Sequence, residues 1–150
     1  MNFQSQSKKS GDEFEALVLK DLKERGFTDI EPNMYIVGTG CEVDFIARNT
    51  EAIEYVEAKG GLEGDKKRPG AKRTDNVKKA IANGSLIKCY YPDMHYVVYF
   101  SAQPDPGSYS EEMLYTALRF SIIDEVRFLL PLPEKTVNDI VKEIVETNAN

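Results

Sequence analysis

Hydrophobic residues recur along the chain with two periods, and the first to appear is helical. Between Ser10 and about Arg25, apolar residues recur three and four positions apart, at Phe14, Leu17, Val18 and Leu22. The segment Ser10-Gly11-Asp12-Glu13 has the form of a capping box, in which the serine and the glutamate satisfy the first backbone N–H groups. A helix is therefore predicted to begin at Ser10 and to end before Gly26.

Three strands are predicted after this helix, at Met34–Val37, Glu42–Ala47 and Ala52–Lys59. Side chains alternate faces along a strand. Strict alternation puts Val43 on the same face as Phe45, and Asp44 on the opposite face. In the third strand it puts Glu57 and Lys59 on one face.

The remaining pattern predicts a helix, a strand, a helix, a short strand and a last helix. These elements cover Ala71–Asn83, His95–Ser101, a stretch from about Glu111, Val126–Leu130, and an acidic stretch from Pro133 or Glu134 to about Thr147. The order is αβββαβ with a trailing αβα, which indicates the α/β class. At 150 residues, with neither an internal repeat nor a linker, the chain is predicted to be one domain, residues 1–150.

Two of the predicted strands each carry an acidic residue within an apolar segment. If they pair as a hairpin, Asp44 comes beside Glu57, and Lys59 lies on the same face. Two carboxylates so close are unstable unless a positive charge lies between them. A divalent metal ion satisfies that requirement.

Asp44 followed by Glu57-Ala58-Lys59 resembles the signature of the PD-(D/E)XK nuclease superfamily, with Val43 in place of the signature proline. The resemblance extends upstream to Glu15 in the first helix and downstream to a basic helix near Ala71. It implies a restriction-endonuclease-like fold, with a mixed sheet flanked by helices.

The same resemblance implies roles for the acidic residues and the lysine. Asp44, Glu57 and the carbonyl of Ala58 would hold Mg²⁺, with Mn²⁺ as an alternative, and Lys59 would hold and polarise the attacking water. Glu15 would assist at the metal. The other interpretations are surface carboxylates at Asp44 and Glu57, a simple ion pair for Lys59, and a favourable helix-dipole contact for Glu15.

Charge is distributed unevenly along the chain. The formal net charge is −6, yet residues 66–79 contain seven cations and one anion. Such a segment can bind phosphates on an otherwise acidic protein, although a solvated lysine-rich loop is the alternative. The residues predicted to bind DNA are Lys66, Lys67, Arg68, Lys72, Arg73, Asn76 and Lys79.

Several function classes are disfavoured by what the sequence lacks. His95 is the only histidine, which disfavours histidine-pair nucleases and common catalytic zinc sites. No Walker A loop, dinucleotide fingerprint or nucleophile elbow is present. Cys41 and Cys89 are expected to be free thiols. No apolar run has the length of a membrane span and no signal peptide is visible, so an intracellular, cytoplasmic protein is expected, encoded by a phage or mobile element on one interpretation.

The sequence thus predicts a Mg²⁺-dependent endodeoxyribonuclease that cuts double-stranded DNA, of the homing or restriction type. The alternatives are a resolvase of Holliday junctions or branched DNA and a non-catalytic DNA-binding module. Because one site cuts one strand, a homodimer or homotetramer is expected, built by the apolar segments Val126–Leu130 and Ile140–Val145.

Overall fold

A computed structural model describes residues 3–60, 69–129 and 145 of the chain. The elements are α1 (Phe3–Glu24), β1 (Asp29–Ile36), β2 (Cys41–Arg48), β3 (Ile53–Lys59), a 3-10 turn (Gly70–Lys72), α2 (Thr74–Tyr90), β4 (Tyr96–Phe100), α3 (Tyr109–Arg119) and β5 (Glu125–Phe128). The predicted order is confirmed from the first helix to the last strand. The final predicted helix, from Pro133 or Glu134 to Thr147, lies outside the described residues except for Val145.

The five strands form one mixed sheet in the order β1-β2-β3-β4-β5. β1, β2 and β3 are antiparallel neighbours, whereas β3, β4 and β5 run parallel. Parallel neighbours require crossover connections, and α2 and α3 lie on these two crossovers. The fold is therefore of the α/β class.

Helices cover both faces of the sheet. On one face, α1 contributes Phe14, Val18 and Leu22 to a cluster that includes Phe45 and Tyr99. On the other face, α2 and α3 pack against a cluster that includes Ile46, Tyr96, Val98 and Phe100. The fold is thus an α/β/α arrangement in three layers. Within the described part of the chain, no helix combines the length and the apolar character needed to cross a membrane.

The alternation of side chains in β2 breaks at Asp44. Phe45 packs in the α1 cluster, whereas Val43 packs with Ile46 in the cluster on the α2 face. The prediction that Val43 and Phe45 share a face is therefore wrong. Opposite this break, Asn33 of β1 has a left-handed φ of 54°. A local irregularity in strand pairing changes the direction in which a side chain points, here that of Asp44.

Two helix boundaries differ from the prediction. α1 begins at Phe3 rather than at Ser10, because the polar residues before Ser10 are compatible with a helix and Gly11 is tolerated within it. α2 begins at Thr74 after the 3-10 turn and continues to Tyr90, well past Asn83. Its later residues Gly84 and Ile87 are buried, so packing rather than local signals extends the helix.

Glycines at the end of β3 and before α2 allow the chain to pass close to the end of β4. A Cβ atom on Gly60 would lie 2.0 Å from Ser101 Oγ, and one on Gly70 would lie 2.4 Å from Ala102 N. The φ angles of these two glycines are 138° and 56°. Both glycines therefore let the chain pack closely against the residues that follow β4.

A buried ion-pair network holds β5 to the centre of the sheet on the α1 side. Arg127 donates two hydrogen bonds to Glu54, of 2.6 and 2.8 Å, and two of 2.9 Å to Glu125. It also donates to the Tyr99 hydroxyl, which in turn donates to Asp21 of α1 at 2.6 Å. The side chains of Arg127 and Glu54 are each 9% exposed. The guanidinium thus satisfies two carboxylates that would otherwise be uncompensated.

We expect Arg127→Met to lower the free energy of unfolding by about 3 kcal/mol or more, because it leaves the buried Glu54 carboxylate without its counter-charge. Arg48→Met is the matched control. Arg48 pairs with Asp29 and Glu31 at the surface, so its loss should cost less than about 1 kcal/mol. Urea denaturation of both variants measures the difference, and equal costs would contradict the structural role of Arg127.

Candidate metal centre

The predicted site residues meet where β2 and β3 separate. The two strands pair from Arg48–Ile53 to Phe45–Val56, after which β3 continues along β4 to Lys59. At this point Asp44 Oδ2 accepts a hydrogen bond of 2.7 Å from the backbone N–H of Ala58. The predicted hairpin is confirmed, and Asp44 is fixed beside the end of β3.

Glu57 is held by a different donor at each carboxylate oxygen. Its Oε1 lies 3.4 Å from Lys59 Nζ, and its Oε2 accepts a hydrogen bond of 3.2 Å from Asn83 Nδ2 on α2. The residue is only 5% exposed. As alternation predicts, Glu57 and Lys59 share a face, and Val56 packs in the cluster on the opposite face.

Asp44 contributes to raising the pKa of two glutamates. Burial, and after it the charge and hydrogen bonding of Asp44, raise the pKa of Glu57 to about 8. The same causes raise the pKa of Glu15, on α1, to about 7. Lys59 opposes both shifts. The structure therefore brings Glu15, Asp44, Glu57 and Lys59 together, with three carboxyl groups beside one lysine.

This donor set fits a hard divalent cation. Carboxylate oxygens are the ligands that Mg²⁺ and Mn²⁺ favour, and Asp44 and Glu57 converge from neighbouring strands. A cation here would offset the burial and the repulsion by Asp44 that raise the pKa of both glutamates. Ala58, whose carbonyl was predicted as a third ligand, lies between Glu57 and Lys59 and is fixed to Asp44 through its own N–H.

The residues of the basic segment that were predicted to bind DNA differ in their surroundings. Lys66, Lys67 and Arg68 lie outside the described residues. Lys72 Nζ is 3.4 Å from Asp105 Oδ1, an ion pair between exposed side chains. Asn76 donates a hydrogen bond of 3.0 Å to the carbonyl oxygen of Gly70 and so closes the turn that leads into α2. Its contact with DNA stays a prediction.

Lys79 and Arg73 remain exposed to solvent. Lys79 precedes Asn83 by four residues on α2, which places the two side chains on one flank of the helix. Because Asn83 contacts Glu57, Lys79 lies on the flank that faces the carboxylates. Arg73 is the residue immediately before α2.

Asn83 is the residue of this site that the sequence did not identify. The helical spacing of Asn76 and Lys79 reaches Asn83 at the next turn. Its significance depends on Glu57, which is 26 residues earlier, and a local pattern carries no signal for a contact between a helix and a strand so far apart.

A second group of possible metal ligands lies at the other end of β4. Glu54, His95 and Glu125 could bring one ligand atom each to a common point. However, Arg127 already bonds both oxygens of Glu54 and both of Glu125. Hydrogen bonds from Arg127 hold the pKa of Glu125 below its ordinary value, against the effect of burial. The carboxylates of this group are therefore already compensated.

No family model, curated protein or solved structure matched this chain in the comparisons with known proteins. Its function must be argued from the residues themselves and their geometry.

The raised pKa values predict how the stability of the metal-free protein depends on pH. A folded protein that binds a proton more tightly than the unfolded chain loses stability as the pH rises. For Glu57 the window extends from the ordinary value of 4.5 to about 8. We therefore expect the free energy of unfolding in EDTA to fall across this range, and Glu57→Gln to flatten the fall.

Urea denaturation at a series of pH values measures this slope. Glu112→Gln, which removes an exposed carboxylate of α3, is the control and should leave the slope unchanged. Asp21 and Glu125 do not obscure the effect, because their lowered pKa values act at lower pH. A slope in Glu57→Gln equal to that of the wild type would show that Glu57 is ionised in the folded protein throughout this range.

Proposed function

We propose that this protein is a Mg²⁺-dependent endodeoxyribonuclease of the PD-(D/E)XK type, built on a restriction-endonuclease-like fold. The observation that carries the proposal is the convergence of Asp44, Glu57 and Lys59 where β2 and β3 separate, with Glu15 of α1 beside them. The substrate is the phosphodiester backbone of double-stranded DNA. Branched DNA is the alternative substrate.

Asp44, Glu57 and the carbonyl of Ala58 would hold the metal ion, which stabilises the charge that develops on the phosphate when it is bound. Lys59 does two things in this scheme. Its ammonium group contacts Glu57 Oε1, and its remaining N–H donors can hold a water molecule against the phosphorus. The water oxygen bonds to phosphorus as one P–O bond of the backbone breaks. The water gives up a proton to solvent, and the leaving oxygen takes one from solvent.

Glu15 adds a third carboxyl group from a different layer of the fold. Its proximity to Asp44 supports a role at the edge of the metal centre rather than a simple contact with the helix dipole. We therefore assign Glu15 to assist the two carboxylates that come from the sheet.

We propose that the DNA backbone runs from the carboxylates along α2. Lys79 is exposed on the flank that holds Asn83, so it can bind a phosphate next to the scissile one. Arg73 and the cations Lys66, Lys67 and Arg68 would extend this contact beyond the helix. Lys72 contributes less, because it already pairs with Asp105.

Cutting both strands of a duplex requires two such sites, so we propose a homodimer or homotetramer. Val126 is an unsuitable contact for this assembly, since it packs against the core of the subunit. Phe128, further along the edge strand β5, is 37% exposed and is the better candidate.

Purified protein with Mg²⁺ should nick and then linearise plasmid DNA, and EDTA should abolish this activity. We expect Asp44→Asn, Glu57→Gln and Lys59→Met each to lower the cleavage rate by roughly a hundredfold or more, because each removes a group that acts on the same metal or water. DNA binding by these variants, measured by fluorescence anisotropy, should persist.

Glu112→Gln serves as the matched charge-removing control and should cleave at the wild-type rate. Comparison of a plasmid with a four-way junction distinguishes the two substrate classes. Wild-type protein that binds DNA without cutting either substrate would support the non-catalytic module. Cleavage that survives Asp44→Asn would place the active site elsewhere.

A further inference from the structure

We propose that Asn83 is a positioning residue that fixes the Glu57 carboxylate for the metal ion and makes the centre selective for Mg²⁺ over Ca²⁺. The inference rests on the metal centre of the proposed function and extends it to a residue outside the Asp-Glu-Lys set. It starts from the hydrogen bond of 3.2 Å between Asn83 Nδ2 and Glu57 Oε2.

The orientation of the Asn83 amide follows from the chemistry of its partner. The NH₂ end of the amide faces Glu57, and it suits the metal-bound form, in which the ionised carboxylate can only accept hydrogen bonds. Lys59 contacts the other oxygen, Oε1. The two donors come from different elements, and together they leave the carboxylate little freedom to rotate.

Asn83 holds the carboxylate without cancelling its charge. A lysine or arginine at this position would compete with a metal ion, as Arg127 does for Glu54 at the other polar cluster. A neutral amide brings no positive charge to Glu57 Oε2, so it does not compete with a cation for that oxygen.

Close packing of α2 on the sheet makes this contact possible. Gly84, the next residue along α2, is buried, and a Cβ atom there would lie 2.5 Å from the carbonyl oxygen of Ile122 and 2.9 Å from the ring of Tyr96. The absence of a side chain at this position lets the helix approach β4 closely. Asn83 is thus supported by a rigid element.

Rigid ligands discriminate between cations of different size. Mg²⁺ requires nearly ideal octahedral geometry, whereas Ca²⁺ accepts irregular shells of six to eight oxygens. Asp44 is fixed by the N–H of Ala58, and Glu57 by Asn83 and Lys59, before any cation arrives. Loosening Glu57 should therefore weaken Mg²⁺ binding more than Ca²⁺ binding.

Isothermal titration of the full chain with Mg²⁺ and with Ca²⁺ tests this inference. Asn83→Ala removes the amide, and Asn83→Leu removes it while keeping its approximate volume. We expect both variants to bind Mg²⁺ about tenfold more weakly, in line with the effect of losing a group that orients a metal ligand, and Ca²⁺ less than about threefold more weakly. Ser85→Ala is the control, since it removes a hydrogen bond within α2 and should leave both affinities unchanged.

Equal losses for the two cations would show that Asn83 acts only through stability, and unchanged affinities would show that it does not position Glu57. Either result would overturn the inference while leaving the nuclease proposal intact. Conversely, selective loss of Mg²⁺ binding in a protein that cuts no DNA would support the inference and refute the nuclease proposal. A wild-type protein that binds neither cation would overturn both.

Discussion

Burial of the Glu57 carboxylate beside Asp44 is the constraint around which this region is arranged. An uncompensated buried charge is costly, and Asp44 increases that cost by repulsion. Hydrogen-bond and charged donors from β3 and α2 offset this cost. The N–H of Ala58 binds Asp44, and Lys59 and Asn83 bind Glu57. Separation of β2 from β3 and the close approach of α2 are both needed to assemble these contacts.

The two polar clusters of the sheet differ in how completely their charges are compensated. Around Arg127, every carboxylate oxygen of Glu54 and Glu125 has a guanidinium partner. Hydrogen bonds lower the pKa of Glu125 there, whereas burial and Asp44 raise the pKa of Glu15 and of Glu57 at the other cluster. A compensated cluster stabilises the fold. The cluster around Asp44 and Glu57 is compensated only in part, by Lys59, and this contrast favours it over the Arg127 cluster as the proposed metal centre.

The sequence predicts the parts of this arrangement that depend on periodicity. The buried residues Phe14, Val18 and Leu22 of α1, the order of the elements and the shared face of Glu57 and Lys59 all follow from helical or strand spacing. These spacings relate residues that are close in sequence. The face of a helix or strand that becomes buried therefore follows from the local pattern, without knowledge of distant contacts.

Features that depend on distant contacts could not be predicted in this way. The break at Asp44, which sends Val43 to the α2 face, arises where β2 leaves β3 but stays paired with β1. The bonds of Arg127 and Asn83 join residues 73 and 26 positions apart. The start of α1 also differs from the prediction. A capping box marks the first turn of a helix only when the residues before it do not extend the helix towards the N-terminus.

Anomalous diffraction from a crystal soaked in Mn²⁺ tests the central claim most directly, because it locates the cation without reference to activity. The account predicts an anomalous peak bound by carboxylate oxygens of both Asp44 and Glu57, and loss of that peak in crystals of Asp44→Asn. A soaked crystal with no peak at these two residues, or with a peak only at Glu54, His95 and Glu125, would contradict it.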